Sequence, residues 1–251
     1  MDALILAGGQ APPELVAATG CSDRALIELD GQPMIGHVLA ALRDTPGIDR
    51  IAVVGAPELA AKLGEIAAGV TFVESSGRMV DNAITGLRAI GAELTLITTC
   101  DVPMVTSATF QEMIEGFQRQ KLEAAYAICS RQVCEKAFPT GQRTYAKLQD
   151  GDFTAGNAVI VPGSIVERLA EVFDTFYRAR KNPVAMAKLL STSLLVKYLT
   201  RRLSVQGAEC KMAELLGCNA GAVQMLDATI AFDIDKPDDL RVARESFAKQ
   251  N

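Results

Sequence analysis

Three aspartates and a pair of glycines are the residues of this 251-residue chain best suited to chemistry. Asp101 closes the run LTLITTCD, a buried-type strand pattern that ends on a carboxylate before Val102-Pro103. Asp233 and Asp235 stand two apart in AFDIDKPDDL, so in an extended backbone both point one way while Ile234 points to the core. Carboxylates converging on one crevice suit a Mg²⁺ ion, which takes oxygen ligands and often completes its shell with phosphate oxygens. Gly8-Gly9 follows the apolar run Ala3–Ala7 and leaves room for a close approach by another group. In an open α/β sheet, ligands bind beyond the carboxyl ends of the strands, where Gly8-Gly9 and Asp101 both fall.

Other chemistries have little to draw on. The sequence after Gly9 is Gln10-Ala11-Pro12-Pro13, which matches neither a dinucleotide fingerprint nor a P-loop. The six cysteines include no C-x-x-C pair, and the one histidine, His37, sits in the apolar helical pattern MIGHVLAAL. The thiols therefore read as reduced core residues, and His37 as structural. A net charge of −5 argues against a general nucleic-acid binder. No stretch has the length and apolarity of a membrane span, so the chain reads as soluble and cytosolic.

The elements that must position these residues alternate. Strand patterns at 3–7, 49–55, 70–74, 94–98 and 124–129 are separated by helical patterns at 35–43, 57–68, 80–90 and 106–120. That alternation predicts βαβ units and a mostly parallel sheet. Residues 10–24 read as a long loop, helix-poor at first. In the second half, 154–161 reads as a strand, 163–203 and 209–216 as helix, 222–226 and 230–234 as strands, and 237–249 as a terminal helix. Residues 174–203 carry seven Lys/Arg (Arg178, Arg180, Lys181, Lys188, Lys197, Arg201, Arg202) against Asp174 alone. This is a helical hairpin with a solvated basic face, a lid for a phosphorylated substrate, a dimer surface or a peripheral membrane helix.

In their order, the segments LILAGGQ (4–10), RALIELDGQPMIGHVL (24–39), SSGRMVDNAITGL (75–87), TTCDVPMVT (98–106), TAGNAVIV (154–161) and DIDKPDDL (233–240) resemble the MobA-like NTP transferases. The resemblance implies a three-layer αβα fold of the glycosyltransferase-A type, one domain over 1–251 with a helical insertion at about 163–218. It implies a Mg²⁺-dependent nucleotidyltransferase that moves NMP from an NTP, CTP or GTP, to a phosphorylated small molecule and releases pyrophosphate. Carried over, Leu6, Ala7, Gly8, Gly9, Gly77 and Asn82 would line the nucleotide, and Gly156 and Asn157 the acceptor or ribose. Asp101 and Asp235 would hold the metal with Asp233 beside them, and Arg24 would stand where the family has a catalytic Lys.

The chain departs from the family where an Arg normally follows the glycines, and Gln32 replaces a second Lys. Arg78, Arg131, Arg143 and the basic segment are the candidates to restore positive charge. Two alternatives stay open at this point: a degenerate nucleotide-binding sensor of the same fold, and a glycosyltransferase using a nucleotide-sugar.

Overall fold

The computed structural model describes residues 1–141, 143–179 and 191–249. The first half runs β1 (Asp2–Ala7), α1 (Pro13–Thr19), β2 (Glu28–Leu29), β3 (Gln32–Pro33), α2 (Met34–Arg43), β4 (Ile51–Gly55), α3 (Leu59–Leu63), β5 (Val70–Glu74), α4 (Met79–Ile90), β6 (Leu94–Thr99) and α5 (Ser107–Arg119). The second half runs β7 (Ala124–Ser130), α6 (Arg131–Ala137), β8 (Ala146–Leu148), β9 (Gly151–Pro162), α7 (Val166–Ala179), α8 (Thr192–Leu199), α9 (Val205–Leu216), β10 (Ala220–Met225) and α10 (Pro237–Ala248).

Seven strands pair in the order β10-β7-β9-β6-β1-β4-β5, and β8 pairs with β9 to complete an eight-stranded sheet. The ladders are parallel except at β9, which runs antiparallel to β6, β7 and β8. Helices cover both faces, and this explains the unbroken apolar run of β1. Ile5 packs with Val53, Ile35, Leu39 and Phe110 on one face. Leu4 packs with Val54, Ile84, Leu87, Val166 and Leu169 on the other. The result is the three-layer αβα arrangement expected from the sequence.

Several elements differ from their sequence patterns for local reasons. The predicted loop after Gly9 contains α1, because a proline at the first helical position sacrifices no intrahelical bond and Pro13 takes that place. Gly20, at φ 72°, ends that helix in the left-handed region. The predicted helix 57–68 is cut at Leu63 by Gly64, at φ 54°, and continues only as a 3₁₀ turn. The predicted strand 230–234 is a 3₁₀ turn over Ala228–Ala231 followed by extended chain. Here the Asp227 side chain accepts from Thr229 N at 2.9 Å, a local turn bond that overrides an apolar run. Helix α6 had no recognised signal.

The helical region after β9 is partly a packed layer. Val166, Leu169 and Val172 of α7 and Leu216 of α9 are buried in the core beneath α4. Arg88 grips Glu167 through two hydrogen bonds at 2.9 and 2.7 Å. Helix α8 buries none of its residues. Of the basic residues, Arg180, Lys181 and Lys188 lie outside the described residues, and Arg178 pairs with Asp174. Among the described residues no helix is long and apolar enough to cross a membrane.

Helix α4 approaches the sheet closely through Gly86. A Cβ there would lie 2.7 Å from methyl carbons of both Leu4 and Val54. Overpacking of such a contact costs about 1–3 kcal/mol. Gly86→Ala is expected to lower the melting temperature by several degrees in a thermal unfolding experiment, at about 2–4 °C per kcal/mol for a chain of this size. An unchanged midpoint would show that α4 can lift away freely.

Candidate active site

The site is assembled from the two ends of the chain around the carboxyl ends of β1 and β6. These strands are parallel neighbours, with Leu6 opposite Thr99 and Cys100 N donating to Leu6 O at 3.2 Å. Asp101 therefore emerges beside Gly8-Gly9, as the strand-end reading requires.

Neither glycine has a positive φ, so the pair is not there to make a turn that other residues cannot. Gly8 is required by a close approach: a Cβ would lie 2.7 Å from Asn82 Nδ2 and 2.9 Å from Ser75 Cβ. Gly9 is exposed and faces open space. Asn82 is buried and shapes the loop before α4, its Oδ1 accepting from Ser76 N at 2.8 Å. Its amide nitrogen reaches toward Gly77 O at 3.5 Å. Gly77 adopts φ 146°, a conformation that side chains disfavour. The Gly8-Asn82 contact thus joins the two glycine-bearing loops.

The excursion between β1 and β2 delivers the cation. Gln10 pairs antiparallel with Asp23, and Ala11 N donates to Ser22 O at 2.8 Å, so the segment containing α1 closes on itself. Arg24 follows at once, in a short 3₁₀ turn whose first amide, Ala25 N, donates to the Asp23 carboxylate at 3.1 Å. An Asp30-Gly31 turn with both φ positive (49° and 79°) then joins β2 to β3, the backbone a two-residue hairpin needs. Gln32, the residue in place of a lysine, is tied to His37 Nδ1 at 2.9 Å, while His37 Nε2 lies 2.8 Å from Leu29 O. The carbonyl requires a donor, so His37 carries its proton on Nε2 and is structural.

At the centre, Arg24 Nη1 lies 2.5 Å from Asp101 Oδ2 and 2.9 Å from Asp235 Oδ1. The Arg24 and Asp101 side chains are only 18% and 12% exposed, whereas Asp235 is 47% exposed. Burial works against the guanidinium charge, but the hydrogen bond and charge of Asp101, with Asp235, outweigh it, and Arg24 holds its proton more firmly than a free arginine. Asp101 Oδ1 and Arg24 Nε are buried without a hydrogen-bond partner among the described residues.

Asp233 faces a second cation: Arg143 Nη1 lies 3.4 Å from Asp233 Oδ1, and Nη2 donates to Asp233 O at 3.1 Å. Burial pushes the Asp233 carboxyl up to about 6, against the pull of Arg143 and with the help of Asp235. The alternation expected of a strand survives without one. Ile234 is fully buried among Leu15, Ile27 and Leu240, and its amide donates to Asp101 O at 2.9 Å. Asp239, in the first turn of α10, accepts from Asp235 N at 3.2 Å and Lys236 N at 3.0 Å, fixing the turn that carries both aspartates.

Beyond Asp233 and Asp235 lies a cavity of about 610 Å³, whose wall includes Arg143, Thr144, Thr154, Asn157 and Lys236. Of the two residues carried over to the acceptor, Asn157 faces this space. Gly156 is instead buried where a Cβ would lie 2.8 Å from Ala127 Cβ, so its role is close strand packing. The Asn157 amide donates to Ile230 O at 3.2 Å. Of the other candidate cations, Arg78 is bound to Asp81 and Arg131 to Asp152. Sequence reasoning passed over Lys236 although it sits inside DIDKPDDL; its position next to Asp235 was the available signal.

A mixed sheet covered on both faces, with a glycine loop and carboxylates at its carboxyl edge, defines the nucleotidyltransferase-like αβα class. A family model described as MobA-like NTP transferase domain matches residues 3–204. The chain belongs to that family. A molybdenum cofactor guanylyltransferase from Shewanella loihica is 30% identical over 129 residues, 51% of this chain and 62% of that protein. The match to the protein of that name from Shewanella sediminis is 28% identical with the same coverage, so the chain spans under two thirds of these curated relatives. A hypothetical transferase from Thermus thermophilus superposes with a TM-score of 0.80 at 27% identity, covering 95% of this chain and 98% of the other. The 4-diphosphocytidyl-2C-methyl-D-erythritol synthase of Anaerococcus prevotii shares the fold at a TM-score of 0.63 and 14% identity, with 98% and 95% coverage.

The ion cluster makes a stability prediction. Removing one partner of a buried pair leaves the other charge uncompensated, at about 3–5 kcal/mol. Arg24→Ala is expected to destabilise the protein by about 3 kcal/mol in urea unfolding at neutral pH, since Asp101 stays buried. Adding Asp101→Asn to that variant should recover part of the loss, and strictly additive effects would show that the two groups are not coupled.

Proposed function

We propose that this protein is a nucleotidyltransferase that transfers NMP from a nucleoside triphosphate to a phosphorylated small molecule, with release of pyrophosphate. The observation that carries the reading is the cluster of Arg24, Asp101 and Asp235 beside Gly9, in a chain of the MobA-like family. GTP and CTP are the nucleotides to test, GTP being favoured by the guanylyltransferase names of the curated relatives.

The donor set fits a hard divalent cation. Asp101 offers a buried oxygen that accepts no hydrogen bond, and Asp235 offers a half-exposed carboxylate. Asp101 and Asp235 would hold it, with Asp233 adjacent. When bound, Mg²⁺ supplies charge neutralisation to the triphosphate. Among the described residues no group of three or more His, Cys, Asp or Glu is placed to hold a metal ion, so at most two carboxylates would ligate it and substrate phosphate oxygens would complete the shell.

The remaining work is done by the chain. Gly8 and Gly9 keep the nucleotide side of the crevice free of side chains. An acceptor phosphate oxygen then bonds to the α-phosphorus, the bond from that phosphorus to the β-phosphate oxygen breaks, and pyrophosphate leaves with the electron pair. Arg24 is the cation within reach of the developing charge and replaces the arginine missing from the glycine loop. It is held by two carboxylates before substrate arrives, and a triphosphate offers it stronger anionic partners. No covalent intermediate on the protein is required, consistent with a histidine committed to structure and a Cys100 thiol that burial pushes up.

Asp101→Asn is expected to reduce pyrophosphate release at least 10²-fold, the scale of losing one electrostatic group at a transition state, without unfolding the protein. The assay is pyrophosphate release from GTP and CTP with Mg²⁺ and phosphorylated acceptors. A midpoint that rises with nucleotide while no acceptor ever yields pyrophosphate would favour the sensor reading instead.

A further inference from the structure

Two cysteines outside the carboxylate cluster are brought together by the start of α6. Ser130 caps that helix, its side chain accepting from Val133 N at 3.3 Å. Cys129 is the residue before the cap and Cys134 is the fourth residue of the helix. Side chains at these two positions pack against each other across a helix start, a contact usually made by hydrocarbon groups. Here both partners are thiols. Cys129 is fully buried and Cys134 is 5% exposed. The one thiol proton of Cys129 has two acceptors in reach, Asp227 O at 3.8 Å and the Cys134 sulfur.

The two sulfurs are not equivalent. A hydrogen bond from the Cys129 thiol, helped by the Tyr145 hydroxyl and the Arg143 guanidinium, outweighs burial and brings the Cys134 thiol down to about 7. Cys129, as the donor in that bond and by its burial, is pushed up. Near neutral pH one sulfur is thus largely thiolate, the nucleophilic form, while its neighbour keeps a proton. Cys134 also lines a cavity of about 10 Å³, room for about one water-sized molecule, together with Phe138, Gly141, Arg143 and Tyr145. Gly141, Arg143 and Ala231 line both this cavity and the larger one beside Asp233, so the two spaces share a wall. The other cysteines are placed differently. Cys21 Sγ donates to Asp23 O at 3.2 Å, burial pushes the Cys100 thiol well up, and Cys210 is exposed.

We propose that Cys129 and Cys134 form a redox modification site, which closes to an intramolecular disulfide on reaction with a hydroperoxide. The Cys134 thiolate attacks one peroxide oxygen, the O–O bond breaks, hydroxide leaves, and Cys134 becomes a sulfenic acid. The Cys129 sulfur, already against it, then forms the S–S bond as the S–O bond breaks. The Cys129 proton and the departing hydroxide leave as water. In sum, two thiols give up two electrons and two protons, and one hydrogen peroxide becomes two waters. A dithiol reductant reverses the change. The inference stands on the thiol pair and is independent of the nucleotidyltransferase reading.

The test treats the full chain with hydrogen peroxide at neutral pH and maps its peptides by mass spectrometry without reduction. A link between Cys129 and Cys134 is expected, reversed by dithiothreitol and formed at least about tenfold faster than Cys100 is oxidised. Cys129→Ser should leave a sulfenic acid at Cys134 that dimedone traps. Cys134→Ser should leave Cys129 unoxidised. Tyr145→Phe removes one donor to the Cys134 sulfur and should slow the link, with the melting temperature followed as a check on folding. Oxidation of Cys21, Cys210 or Cys218 while the pair stays reduced overturns the proposal. So does a Cys134 sulfenic acid in the unaltered protein that never resolves into the link. The unaltered chain carries the primary readout, so a substitution that fails to fold still leaves the question decided.

Discussion

A buried carboxylate and a nearly buried guanidinium share a space from which most water is excluded, a second carboxylate closes it from the solvent side, and the surrounding architecture serves that arrangement. An aspartate buried as deeply as Asp101 needs a cation, and Arg24 is delivered to it by a segment whose ends pair at Gln10 and Asp23. The same guanidinium reaches Asp235, so one group links the first β-strand's loop to the turn before the last helix. Charge compensation here is a folding contact. In the proposed reaction the group that offsets these carboxylates in the resting protein would also meet the triphosphate, because it is already largely desolvated and aimed at anions.

Arg143 and Asp233 repeat the device one step away, and Ile234 between the two aspartates turns into the core. Its side chain anchors in the cluster formed by α1, β2 and α10, and its amide holds Asp101 O. Asp233 and Asp235 lie on the same side of the chain, close enough for their carboxyls to interact, and each also meets its own arginine.

Much of this was legible in the sequence, for physical reasons. The apolar run Ala3–Ala7 reads as a strand covered on both faces because that burial demands an unbroken pattern, and β1 is such a strand. Asp101 reads as a strand-end carboxylate because the preceding residues are apolar and a proline follows soon after. Illegible were the features decided by one local bond or one distant contact. The turn at 228–231 depends on Asp227 capping its own backbone, and α1 depends on a proline pair that resembles a loop in one dimension. The pairing of Arg24 with Asp235 spans 211 positions of chain, and no periodicity encodes it. The threonines of the cavity carry no motif, and Lys236, although it stands inside DIDKPDDL, is distinguished only by facing the same space.

The dependence of Asp235 on Asp239 has a consequence for synthesis. The sheet strands from β1 to β10 are complete by Met225, and the glycine loop and Asp101 are in place with them. The turn bearing Asp233 and Asp235 gains its last two backbone bonds when the first residues of α10 supply Asp239 as the acceptor for its amides. A chain still emerging from the ribosome can thus have its layered fold and lack its second carboxylate.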